Sequence, residues 1–374
     1  MIGTSRQRPA RTIGMKANRR IGPSWWLSPA AIAFMAACGV SGAPSQATSV
    51  DGGSAYDGRI DSGLDDAADG ALPVRDAGSG GDALPVDGGS CGTRAGQRGL
   101  TQRSLMVAGL NRTYSIYLPQ NLDPRTPVPF VFVHHGYTMS GQEMVDITQY
   151  SSLADTEGFG LAFPDGQTGP DSLGAPWNVG TNVCPSVAGP PPDATGDDFA
   201  FIDAMEADVS SDQCLDAAHV FLTGFSMGGY FAHHVGCMRP DIRAVAAHSG
   251  GTHDLGACVG GHKPIMIFHG DADPVIPVGC DDPAALVVPP GVTPSAAAWA
   301  QRNGCSTSAT TTAVENGTCS YYEGCPSDGQ VALCVLHGMG HCWAGGAADA
   351  GIYSCPPYAS ATQLEWQFFK TYAW

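Results

Sequence analysis

Six short apolar runs limit what this chain can fold into. Residues 129–134 (PFVFVH), 160–163 (GLAF), 219–224 (HVFLTG), 244–247 (AVAA), 264–269 (PIMIFH) and 331–336 (VALCVL) carry almost no polar alternation. A strand with one wet face alternates polar and apolar residues, whereas a strand buried on both faces does not. Segments 199–209, 228–238 and 363–372 have helical periodicity, and 104–107 with 112–118 alternate like an antiparallel pair. Strands alternating with helices predict an α/β fold, a doubly wound and mostly parallel sheet flanked by helices. Ligands of such sheets bind beyond the C-terminal ends of the strands. The residues just after each run therefore matter most.

After HVFLTG comes Gly224-Phe225-Ser226-Met227-Gly228, a G-x-S-x-G with a strand before it and a helix after it. A serine on that sharp turn is pushed into the cleft as a nucleophile. The bland alternative is an ordinary strand-to-helix turn in a chain with 50 glycines. A serine hydroxyl needs a base, and the base needs an orienting acid. In this architecture the acid and the histidine follow in that order. Gly270-Asp271-Ala272-Asp273 follows PIMIFH and offers two acids. Asp273 is preferred, because Asp271 suits capping of the turn. His337-Gly338-Met339-Gly340-His341 follows VALCVL, and His341 is preferred because the intervening loop can carry it over to Ser226. An oxyanion needs two N–H donors. Met227 is expected to supply one and Tyr137 the other, with Thr138 next. His134 and His135 are expected to pack beneath that loop.

Charge divides the chain into three zones. Net charge is −17, which argues against nucleic acid or an anionic membrane surface as partner. Only 14% of residues are charged, which excludes a coiled coil or long helical array. Residues 1–38 hold six Lys/Arg and no acid, then an apolar stretch from Trp25 to Ala37 ending in Cys38. This resembles a bacterial lipoprotein signal in which Cys38 is lipidated; the alternative is a plain cleaved signal peptide. The long basic lead points to a start at Met15. Residues 39–90 hold nine Asp against two Arg and almost no large apolar residue, so a linker is expected. As a coil it would span about 40 Å. The catalytic body is expected over 91–374. It holds twelve Cys after Cys38, and export makes disulfides the default reading. No cysteine pair has zinc-site spacing, so no metal is expected. No apolar run approaches the length of a membrane-spanning helix.

Further motifs make the resemblance specific. They are His134-His135-Gly136, Asp197-Asp198-Phe199, Cys214-Leu215-Asp216 leading into VFLTGFSMGG, Cys237, HGDADPVIP, residues 299–305 (WAQRNGC) and GMGHCW. With these the chain resembles the secreted feruloyl esterase and polyhydroxybutyrate depolymerase-like group of α/β-hydrolases over about 100–374. Ala344 and Met227 depart from the residues common there, without removing a catalytic group. The resemblance implies a Ser226–His341–Asp273 triad; serine acyl transfer needs no cofactor, and a monomer is expected. The Cys-Leu-Asp and Arg-Asn-Gly-Cys signatures point to phenolic-acid esters of xylan, with hydroxybutyrate polymer and acetylated xylan as alternatives. Tyr137, Trp177 and Trp343 are candidates for an aromatic wall against the acyl group; the equal alternative is that Trp177 and Trp343 are structural. No polymer-binding module is expected, since the final helix runs to the end of the sequence. A serine peptidase or a non-catalytic binding protein on the same fold would be the rival classes.

Overall fold

The computed structural model describes residues 96–168, 174–180, 196–252, 255–278 and 294–372, all within the unit Gly78–Trp374. The expected signal with Cys38 and the expected linker lie outside the described residues, as do Cys91, Cys184 and Cys280. The chain runs β1 (Gly99–Val107), β2 (Leu110–Leu118), β3 (Val128–His134), α1 (Gly141–Thr148), α2 (Tyr150–Glu157), β4 (Gly160–Pro164), α3 (Asp198–Asp212) and β5 (Leu215–Phe225). It continues through α4 (Met227–Met238), β6 (Ala244–His248), β7 (Ile265–Gly270), α5 (Pro294–Arg302), β8 (Ala309–Val314), β9 (Gly317–Tyr322) and β10 (Val331–Leu336). Two short strands, β11 (Trp343–Ala344) and β12 (Ser354–Cys355), precede α6 (Ala361–Lys370).

Ten strands form one sheet in the order β1-β2-β4-β3-β5-β6-β7-β10-β9-β8. From β4 through β10 in that order the strands are parallel, and antiparallel pairs close both edges. The fold is thus the doubly wound α/β sheet of the α/β-hydrolases. All six apolar runs are parallel strands. Successive side chains of a strand point to opposite faces, and β3 shows the consequence. Phe130 and Phe132 pack with Phe201 and Met205 of α3 and Phe231 of α4. Val131 and Val133 pack with Met144 of α1, Tyr150 of α2, and Trp366 and Phe369 of α6. Burial on both faces is why these strands show no alternation.

Elements marked by neither an apolar run nor a clear periodicity are the ones the sequence reading lacks. The edge hairpin β8–β9 is rich in Thr and Ser and largely exposed on β8. Its signal is the Asn316-Gly317 pair, with Asn316 at φ 53° in the two-residue loop. Helix α1 is announced by Ser140 and Glu143, which form a reciprocal capping box. Four disulfides, Cys237–Cys258, Cys305–Cys325, Cys319–Cys334 and Cys342–Cys355, staple the second half of the sheet. Cys214 is disulfide-bonded as well.

One buried acid makes stability depend on pH. Glu365 of α6 is fully buried and accepts the Tyr150 hydroxyl at 2.7 Å. Burial pushes its pKa up to about 8, with the Tyr150 hydrogen bond pulling the other way. The folded state therefore keeps Glu365 neutral where the unfolded chain, near 4.5, has already ionised it. Stability from this group is whole below pH 4.5 and declines until pH reaches about 8. Glu365→Gln should flatten that decline, worth a few kcal/mol at most. Urea unfolding at the two ends of this window checks it, and equal pH dependence in both proteins would contradict it.

Candidate active site

Strand β5 ends at Phe225 and α4 begins at Met227, so Ser226 alone makes the turn. It sits at φ 56° and ψ −116°, a conformation that costs an L-residue about 1–3 kcal/mol. Two glycines make the turn sterically possible. A Cβ on Gly224 would collide with the Gly228 carbonyl, and one on Gly228 with the His134 carbonyl. Strand, helix and the end of β3 therefore meet backbone to backbone. The Ser226 amide donates to the His248 carbonyl at 2.9 Å, tying the turn to the end of β6.

Strands β3, β5, β7 and β10 run parallel, so the segments after them share one edge of the sheet. Ser226, His341 and Asp273 meet there. His341 Nε2 lies 2.9 Å from Ser226 Oγ, and His341 Nδ1 lies 2.7 Å from Asp273 Oδ2. The other oxygen, Asp273 Oδ1, accepts the amides of Val275 (2.8 Å) and Ile276 (3.0 Å). Burial pushes the Asp273 carboxyl up, but the His341 bond and these two amides outweigh it and hold it below the usual carboxylate range. It is an ionised acid inside the protein, facing an imidazole. The competing pair lies outside: Asp271 bonds His337 Nδ1 at 3.1 Å and accepts the Gly338 amide at 2.6 Å. Both of these side chains are well exposed, and their pairing ties the acid loop to the histidine loop.

The loop after β3 abuts the serine from the other side. A Cβ on Gly136 would come within 3.1 Å of Ser226 Cβ. His135 pins this loop: its Nε2 accepts the Gly166 amide at 2.9 Å, so its Nδ1 carries the proton and donates to the Gly136 carbonyl at 2.6 Å. Burial lowers the pKa of His135, which keeps it neutral for this double role. Ala175 N donates to the Tyr137 carbonyl at 2.8 Å. Tyr137 thus follows a braced turn beside Ser226, and Met227 opens α4, where helix amides point outward. His134 is buried, with its pKa driven down to about 3 by that burial.

Of the two readings of Trp177 and Trp343, the structural one holds. Trp177 and Trp343 are 1% and 0% exposed, so neither presents a face to a ligand. Trp177 donates to the His135 carbonyl at 2.8 Å and stacks on Phe231 beneath the loop. Trp343 donates to Thr362 and stacks on His248. Both are packing residues under the site. The sequence reading had not singled out His248, which joins three parts. Its carbonyl holds Ser226, its Nε2 accepts the Ala344 amide at 3.0 Å, and its ring lies between Phe268 and Trp343. The available signal was its place at the end of an apolar run. Among the described residues no cluster of His, Cys, Asp and Glu is arranged to hold a metal.

Comparison with known proteins follows the same lines. No family profile matches the chain. Feruloyl esterase B of Piromyces equi is 28% identical over 242 residues, covering 62% of this chain and 42% of that protein. The chain thus spans less than half the length of that relative. "Putative esterase NocK" of Nocardia uniformis subsp. tsuyamanensis is 30% identical over 268 residues, covering 66% of this chain and 74% of that protein. The solved acetyl xylan esterase from Aspergillus awamori superposes with a TM-score of 0.50 over 72% of this chain and 99% of that one, at 16% identity. That likeness is one of fold. The chain belongs to the feruloyl esterase-like family of α/β-hydrolase esterases.

Proposed function

We propose that the chain is an exported serine carboxylic ester hydrolase that cleaves phenolic-acid esters of plant cell-wall xylan. The observation that carries the chemistry is the unbroken row Ser226 Oγ–His341 Nε2, His341 Nδ1–Asp273 Oδ2, at 2.9 and 2.7 Å. Ser226 Oγ attacks the ester carbonyl carbon, and its proton passes to His341 Nε2. Asp273 fixes the tautomer with Nδ1–H toward itself and stabilises the imidazolium. The Tyr137 and Met227 amides receive the oxyanion. Collapse breaks the bond to the alcohol oxygen, which takes the proton from His341 and leaves. Water, deprotonated by His341, then attacks the acyl-enzyme, releasing the acid and restoring Ser226.

The phenolic acyl group rests on separate support. It comes from the substrate of the feruloyl esterase relative and from the Cys214-Leu215-Asp216 and Arg302-Asn303-Gly304-Cys305 signatures. The disulfides support export to an oxidising compartment. Lipidation at Cys38 would anchor the exported enzyme.

Ser226→Ala should reduce kcat by about 10⁴-fold or more with the fold intact. Asp273→Asn should cost about 10⁴-fold by leaving His341 in the wrong tautomer, and Asp271→Asn far less, since Asp271 faces solvent. Steady-state kinetics on p-nitrophenyl butyrate decides the ranking, and a larger loss for Asp271→Asn would reassign the acid. For substrate, kcat/KM is expected to favour methyl ferulate over p-nitrophenyl butyrate, with acetylated xylan cleaved more slowly and no clearing of a polyhydroxybutyrate film. Film clearing without ferulate release would move the assignment to polyester depolymerisation.

A further inference from the structure

The proton path fixes where the alcohol half of an ester must lie. His341 Nε2 protonates the departing oxygen, so that half occupies the His341 flank. The flank is built by the loop closed by Cys342–Cys355 and by the pairing of β11 with β12. Phe225 lies 4.9 Å from the His341 ring, and Tyr353 lies 6.0 Å from Phe225. Beside Tyr353, Ile352 is 84% exposed, the most exposed large hydrophobic among the described residues. The loop carrying it is held in place. Trp343 N donates to the Tyr353 carbonyl at 2.8 Å, Ser354 Oγ to the Ala347 carbonyl at 2.6 Å, and Ala347 N to the Ile147 carbonyl of α1 at 3.0 Å. An isolated exposed isoleucine needs no explanation. One that is fixed beside a half-buried tyrosine on the leaving-group side of a nucleophile has a use.

Next to this pair, between the loop and α1, lies a cavity of about 610 Å³ lined by Glu143, Asp146, Asp349, Ala350 and Gly351. Glu143 is engaged in the capping box, and Asp146 Oδ1 accepts Gln142. The carboxylates are acceptors, and no group among the described residues is arranged to hold a metal. Carboxylate acceptors in a cavity that opens beside Ile352, next in sequence to the lining Gly351, suit a neutral polyol, whose hydroxyls donate to them. An anionic group would be repelled.

We propose that Tyr353 and Ile352, on the disulfide-closed 342–355 loop, form the subsite for the sugar alcohol of the scissile ester. This rests on the esterase reading above and goes beyond its acyl preference. The test holds the acyl group constant and changes the alcohol: feruloyl-arabinose against methyl ferulate, and acetylated xylobiose against methyl acetate. Ile352→Ser and Tyr353→Ala should lower the sugar-to-methyl ratio of kcat/KM about 3- to 10-fold, chiefly through KM, the size of one lost stacking contact. An unchanged ratio, or equal loss on both alcohols, overturns the proposal. If only acetyl esters are cleaved, the feruloyl assignment fails while the acetyl pair still reads this subsite. If neither pair turns over, xylobiose is titrated into the Ser226→Ala protein and followed by NMR. Saturable binding weakened by Ile352→Ser supports the subsite, and no binding, or binding indifferent to Ile352, overturns it.

Discussion

Everything at the candidate site depends on the close approach of three backbones around Ser226. Gly224 at the end of β5, Gly228 in the first turn of α4 and the His134 carbonyl at the end of β3 occupy space in which no Cβ fits. That contact holds Ser226 in a conformation an isolated chain would avoid. It also sets the height of the hydroxyl above the sheet, and with it the 2.9 Å reach to His341. The strain is offset by the surrounding core: Phe225, Met227 and Phe231 are all buried beside it. A side chain at position 228 would therefore disturb Ser226, the helix and the loop after β3 together.

The other members of the row depend on supports further out. His341 lies on a long loop after β10, and loops of that length are costly to hold in one geometry. Here the loop is fixed at three points. Asp271 and His337 tie its start, Cys342–Cys355 closes its far side, and His248 accepts the Ala344 amide from below. A disulfide closing a loop of this size contributes roughly 3 kcal/mol in the chain-entropy model. Neutral, buried His248 contacts both the serine turn and the histidine loop, so the two halves of the row share one anchor.

The sheet and the Ser–Asp–His row were legible in the sequence for a physical reason. Strands buried on both faces must be uninterrupted apolar runs, and the segments that follow the parallel ones share one edge of the sheet. Choosing Asp273 over Asp271, and His341 over His337, turned on which residue ends a turn and which a loop can carry across the sheet. Signals weakened where packing rather than local pattern decides. The β8–β9 hairpin is polar because it is an exposed edge, so no apolar run marks it. Trp177 and Trp343 stayed open between two roles because tryptophan serves equally well as a wall and as a core filler. Only the fold places one under the loop after β3 and the other under His248. His248 showed in the sequence only as the residue that ends an apolar run, since its role rests on contacts from β5, β7 and the 342–355 loop, segments far apart in the chain.

The central claim is that Ser226 is activated by this one row of hydrogen bonds. Labelling with a serine-directed fluorophosphonate, followed by peptide mass spectrometry, tests it most directly. The account predicts one adduct, on Ser226, formed rapidly by the parent protein and far more slowly by His341→Ala. An adduct on another serine, or labelling of Ser226 that is indifferent to loss of His341, would contradict it.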